Sequence, residues 1–198
     1  MEHKKIGIFG GSFDPIHLGH LHFARQLQNR LALDEIWFIP ARISPHKLDT
    51  PPAPLQDRVQ MMELALAPYP SFILKNIESQ RTTPSYTIDT IKELRENFPD
   101  HQFFLLLGAD TVQDFDKWNR FDEIARLCQV IVASRAGIDD ALFAPFDNKN
   151  HNFHYLTVPI LDISSSKIRK LRSLKKNTEH LLPPSVNEYI VTRQLYIK

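Results

Sequence analysis

The chain is 198 residues long and carries 24 Lys and Arg against 23 Asp and Glu, a formal net charge of +1. A polybasic nucleic-acid tail is therefore excluded, and at 42% hydrophobic and 24% charged the composition is that of an ordinary soluble globular protein. The longest apolar stretch, Phe103 to Ala109, falls far short of the ~20 residues that cross a bilayer. The basic start, Met1 to Lys5, leads into Gly10, Gly11 and Asp14 rather than an uninterrupted apolar segment, so no membrane partner and a cytoplasmic location are expected.

In chain order, four short runs rich in β-branched and aromatic residues stand out: Lys5 to Phe9, Glu35 to Ile39, Phe103 to Leu107 and Gln129 to Ala133. Their near-continuous apolar character suits strands covered on both faces. Phe72 to Lys75 and Tyr155 to Val158 are weaker strand candidates. Helical spacing lies between them, at Leu21, Ala24, Leu27 and Leu31, at Val59, Met62 and Leu66, and at Ile91, Leu94 and Phe98. This alternation predicts a parallel sheet with helices on its faces. The five prolines of Pro40 to Pro54, with Arg42, His46 and Lys47 among them, mark a long loop after a strand. It is read first as an active-site loop and second as a linker. Ala136 to Asn152 reads as a surface excursion. The single Cys128, in an apolar run, is expected to pack as a small hydrophobe. Ser164, Ser165 and Ser166 open a helix lined by Ile168, Leu171 and Leu174, and Pro183 and Pro184 introduce a last one through Val186, Tyr189 and Ile190.

The segment Gly10-Gly11-Ser12-Phe13-Asp14-Pro15-Ile16-His17-Leu18-Gly19-His20 joins the first strand to the first helix. Paired glycines let a backbone approach a ligand closely, and a following helix aims free N–H groups and a positive dipole end at an anion. His17 and His20, if both lie in the first helical turn, add two imidazole donors on one face that can stabilise charge on a phosphoryl group. Alone, a glycine pair after a strand is weak, and the segment does not match the dinucleotide G-x-G-x-x-G pattern. A zinc site on the two histidines finds no cysteine nearby and only Asp14 as a further ligand, so no protein metal site is expected.

Residues 10 to 20 resemble the His-x-Gly-His motif of the nucleotidyltransferase superfamily, and Ile163-Ser164-Ser165-Ser166-Lys167-Ile168-Arg169 is similar to its Ile-Ser-Ser-x-x-Ile-Arg motif, with Ser166 where Thr is frequent. Pro40 to Lys47, Pro84-Ser85-Tyr86-Thr87, and Gly108-Ala109-Asp110 followed by Trp118 extend the resemblance to the bacterial nicotinate mononucleotide adenylyltransferases. It implies a Rossmann-like doubly wound parallel α/β fold with a small C-terminal helical part, a single nucleotidyltransferase domain over residues 1–198. It implies adenylyl transfer from ATP to nicotinate mononucleotide, giving deamido-NAD and pyrophosphate, with Mg²⁺ on the triphosphate. Other phosphate-bearing acceptors, nicotinamide mononucleotide or phosphopantetheine, remain alternatives within the superfamily.

Carried over to this chain, the resemblance implies that Gly10, Gly11, Ser12 and Phe13 lie along the nucleotide phosphates, that His17 and His20 contact the reacting phosphates, and that Gly19 leaves space for ATP. Ser165 and Arg169 would hold the outgoing pyrophosphate, with Lys47 reaching in from its loop. Gly108 and Asp110 would belong to the ATP site, Asp110 accepting ribose hydroxyls, and Ser85, Tyr86, Thr87 and Trp118 to the pyridine pocket. Simpler readings stand beside these: Asp110 and Thr87 as helix caps, Trp118 as core. The cluster Lys167, Arg169, Lys170, Arg172, Lys175 and Lys176 would suit a nucleic-acid module, but the apolar line through Ile168, Leu171 and Leu174 reads as an amphipathic helix with solvated charges, and no nucleic-acid partner is expected.

Overall fold

The structure, a computed structural model, describes residues 3–42, 52–81, 86–109, 120–134 and 152–197. Six strands form one sheet: β1 (Lys5–Gly11), β2 (Glu35–Pro40), β3 (Phe72–Leu74), β4 (Gln102–Gly108), β5 (Gln129–Ser134) and β6 (Phe153–Thr157). All five pairings are parallel, in the order β3-β2-β1-β4-β5-β6. The chain thus builds outward from β1 on one side, then crosses back to add β4 to β6 on the other. The reversal leaves a crevice at the carboxyl ends of β1 and β4, where ligands of such sheets bind.

Among the described residues six α-helices accompany the sheet: α1 (Leu18–Leu31), α2 (Leu55–Leu66), α3 (Thr87–Asn97), α4 (Phe121–Leu127), α5 (Ser165–Ser173) and α6 (Pro184–Thr192). Two-faced burial explains the apolar strands. In β4, Phe104 and Leu106 join the core under α1, α2 and α6, while Phe103, Leu105 and Leu107 join the core under α3 and α4. Val130 and Val132 against Ile131 and Ala133 repeat the alternation in β5. Cys128 is buried in the second core with its thiol pushed up to about 12 by desolvation, which makes it packing rather than nucleophile.

Both weaker strand candidates are strands. Ser164 caps α5, its side chain accepting from the Lys167 N–H at 3.2 Å, and Pro184 occupies the first turn of α6. Helix α4 has no counterpart in the periodic pattern; among Asp122 to Leu127 only Ile124 and Ala125 are buried. Most of the Pro40 to Pro54 loop and most of the Ala136 to Asn152 segment lie outside the described residues. None of the described helices is long and apolar enough to cross a membrane.

Candidate active site

The turn from β1 into α1 is shaped by what its carbonyl groups do. The Ser12 carbonyl accepts from Arg58 Nη1 at 2.7 Å, the Asp14 carbonyl from Arg169 Nη1 at 2.7 Å and the Pro15 carbonyl from Ser165 Oγ at 3.0 Å. Oxygens that would repel an anion are thereby tied to donors, which leaves the turn's amides to define its polarity. A Cβ built on Gly10 would meet nothing within 4 Å, so the end of β1 opens onto free space in which a ligand can lie against backbone. Phe13 takes a left-handed backbone (φ 45°) and turns its ring into the core, edge-on to His20 at 5.1 Å between centroids. The Phe13 ring is thereby withdrawn into the core, which leaves its main chain at the turn.

His17 is the N-cap of α1 rather than a member of its first turn, and His20 is the third helical residue. Each ring's Nδ1 accepts the other residue's backbone N–H at 3.3 Å, a reciprocal capping box built from two imidazoles. The rings stack at 3.6 Å between centroids and 21° between planes. Because each Nδ1 lone pair is engaged, the proton of a neutral ring sits on Nε2, and on His17 that N–H can donate to an oxyanion. Burial pushes the His17 pKa down to about 4, so this imidazole is neutral at physiological pH and donates without carrying charge. Gly19 serves this pair directly. A Cβ there would lie 2.9 Å from His17 Nδ1, 3.0 Å from its Cε1 and 3.3 Å from Ile163, so the space that Gly19 leaves is taken by the His17 ring.

The second motif meets the first across the crevice. Ser165 and Ser166 open α5 with backbone N–H groups that no intrahelical carbonyl reaches, and the Ser165 hydroxyl is directed at Pro15. The Arg169 guanidinium is held through both terminal nitrogens: Nη1 reaches the Asp14 carbonyl and lies 3.6 Å from its carboxylate, and Nη2 donates to Ser166 Oγ at 3.3 Å. Five N–H donors are more than these partners use, so part of the fork is left for an anion. Two helix N-termini, two imidazoles and a guanidinium thus converge around Asp14 and Pro15.

Arg58, Arg42 and Tyr196 hold this arrangement, and of these periodicity and motif left Arg58 and Tyr196 aside. Arg58 is buried in α2 and donates to the carbonyls of Ser12, Ala41, Arg42 and Ala53. Desolvation lowers its pKa and the charge of Asp14 offsets part of that. It shares the stripe of Met61, Met62 and Ala65, and a charge on an apolar stripe was the signal. Arg42 donates to the carbonyls of Ser79 and Arg81, tying the loop after β2 to the approach to α3. Tyr196 donates to Asp14 Oδ1 at 2.7 Å, a contact no local pattern could announce.

At the start of α3 the N-cap is Tyr86, whose side chain makes no capping hydrogen bond, and Thr87 is the first helical residue rather than the cap. Gly108 ends β4, paired with Ala133. Lys47, Ser85, Asp110 and Trp118 lie outside the described residues.

Residues 8–171 match the model of the cytidylyltransferase-like family. The nicotinate-nucleotide adenylyltransferase of Bacillus subtilis is 39% identical over 193 residues, covering 98% of each chain. The chain belongs to this family. A nicotinic acid mononucleotide adenylyltransferase of Plasmodium falciparum complexed with NaAD superposes with a TM-score of 0.80 at 25% identity, covering 98% of each chain. The same Plasmodium protein complexed with APC gives 0.78. Family membership accounts for why two motifs separated by most of the chain face one crevice.

Proposed function

We infer that this chain transfers the adenylyl group of ATP to nicotinate mononucleotide, forming deamido-NAD and pyrophosphate in NAD biosynthesis. The observation that carries the reading is the convergence of the His17/His20 pair, the α1 and α5 N-termini and Arg169 on one crevice of a doubly wound sheet. In the reaction the mononucleotide phosphate oxygen bonds to the α-phosphorus of ATP, and the bond from that phosphorus to the bridging oxygen of the β-phosphate breaks. The attacking oxygen is already anionic, so no general base is required. Charge builds on the α-phosphate and the departing pyrophosphate, and every group converging here is a hydrogen-bond donor.

In this reading Gly10, Gly11, Ser12 and Phe13 offer backbone along the phosphates, His17 and His20 donate to the reacting phosphate through Nε2, and Arg169 with the α5 amides receives pyrophosphate. Tyr86 and Thr87 begin the pyridine pocket. Lys47, Gly108, Asp110, Ser85 and Trp118 keep the roles that the resemblance implies. The donor set suits anions and offers no carboxylate cage, and among the described residues no three His, Cys, Asp or Glu side chains group to hold a metal. Magnesium enters as part of the MgATP substrate, where it neutralises triphosphate charge. The chain works as one catalytic domain in the cytoplasm.

The test is an acceptor screen with MgATP and purified protein, following pyrophosphate release. Nicotinate mononucleotide should be the acceptor of highest kcat/KM; a higher value for phosphopantetheine would overturn the assignment.

A further inference from the structure

Asp14 joins the candidate site to the turn that follows α6. Its carboxylate is buried, and Oδ1 accepts from the Tyr196 hydroxyl at 2.7 Å and the Ala53 N–H at 3.2 Å. Oδ2 lies 3.6 Å from Arg169 Nη1, which donates at 2.7 Å to the main-chain carbonyl of the same Asp14. Tyr196 reaches this position from 182 residues away, and it does so in the left-handed backbone region, at φ 63°, an uncommon conformation for an aromatic residue. The preceding turn holds it there, with the Leu195 N–H on the Ile190 carbonyl at 3.0 Å and Leu195 and Tyr196 packed on the core.

The geometry divides the lone pairs of Asp14 in a useful way. A carboxylate rotates readily about its last torsion, and an arginine fork is its best partner when both oxygens can reach it. Were Oδ1 free, Asp14 could turn to engage Arg169 in a two-pronged pair, neutralising the guanidinium and withdrawing the donors that ATP needs. The Tyr196 hydroxyl and the Ala53 amide occupy Oδ1, so Asp14 anchors Arg169 at one corner only.

We propose that Tyr196 is a positioning residue for adenylyl transfer, its hydroxyl holding the Asp14 carboxylate so that Arg169 stays anchored but available to the phosphates of ATP. This rests on the reading of Arg169 as a phosphate contact. Burial and the neighbouring carboxylate push the Tyr196 phenol far above its ordinary range, so it remains a donor at every working pH.

The experiment is a double-mutant cycle between Tyr196→Phe, which keeps the ring and its packing, and Arg169→Ala, in steady-state kinetics with both substrates varied. Tyr196→Phe should lower kcat/KM for ATP roughly tenfold, the scale of one hydrogen bond to a charged group, through a raised KM for ATP. The KM for nicotinate mononucleotide should stay within about twofold, and in the Arg169→Ala background the same change should cause no further loss. A Tyr196→Phe enzyme with unchanged kcat/KM for ATP, or one whose loss is equally large without Arg169, overturns the proposal. A fully active Arg169→Ala overturns the phosphate role of Arg169 together with the proposal, whereas an impaired Arg169→Ala with additive effects overturns the Tyr196 link alone. If Tyr196→Phe does not fold, Asp14→Asn takes its place. It removes the charge beside Arg169 and should likewise impair ATP binding only while Arg169 is present; independence from Arg169 would again overturn the link.

Discussion

The paired imidazoles concentrate three demands on two residues. His17 caps α1, accepts from His20 and, in the proposed mechanism, donates through Nε2 to an oxyanion; a protonated ring could not accept at Nδ1. Replacing either His17 or His20 by Ala is therefore expected to lower kcat by roughly 10²-fold or more, checked by initial rates on protein verified as folded by circular dichroism. The pH dependence of stability follows from burial. Because the folded-state pKa of His17 is pushed down from 6.5 to about 4, the unfolded chain binds the proton more tightly. The stability owed to the neutral ring is intact above about pH 6.5 and is lost as the pH falls toward 4, by a few kcal/mol in total. Melting temperatures measured from pH 7 to 4 should fall more steeply for the wild type than for His17→Asn, which retains a good capping residue and has no such group to protonate. Gly19→Ala is expected to lower kcat at least tenfold, because its methyl would displace the His17 ring, which kinetics and the histidine NMR shifts would both report.

Among elements, the start of α3 bears on which acceptor is used. Its first-turn amides and dipole end offer donors, with Thr87 beginning the helix and no capping hydrogen bond from the Tyr86 side chain. A carboxylate only accepts, whereas a carboxamide also presents two donor hydrogens that such a site leaves unpaired. The kcat/KM for nicotinate mononucleotide should thus exceed that for the nicotinamide form by at least ~10²-fold, measured under the same MgATP conditions. The strands and every described α-helix but α4 were legible because burial leaves period and composition in the sequence: β4 and β5 are apolar in nearly every position since both faces are covered. The two motifs were legible because a glycine pair, clustered histidines and a serine-rich helix start are local. Arg58 left only a partial sign, a charge on an apolar stripe, and the carbonyls it serves come from three separate segments of chain. Tyr196 left none, since nothing near it in sequence encodes a partner 182 residues away. The His17 role was half legible: spacing brought the rings together, but the reciprocal cap depends on where the helix begins, and a boundary is the least certain product of periodicity.

For the whole molecule, Arg58 is the residue whose loss should be felt most widely, because its fully buried guanidinium joins the ends of β1 and β2 to the start of α2. Arg58→Met should reduce unfolding free energy by about 3 kcal/mol in urea titrations, leaving backbone acceptors without partners that a thioether cannot replace. The sheet order has a consequence for how the chain acquires activity at all. β1 must wait for β4 before its second edge is covered, with Lys5 paired to Gln102, and the Asp14 turn gains Arg169 only after α5 has docked 155 residues later. Such pairings are slow to form, since a long loop must close before any contact rewards it. During translation the turn from β1 into α1 leaves the ribosome early and waits, lacking the arginine and the second helix start opposite it. A nascent or prematurely terminated chain that has made β1, α1 and β2 consequently presents half a crevice, and activity switches on with the final docking rather than growing with chain length.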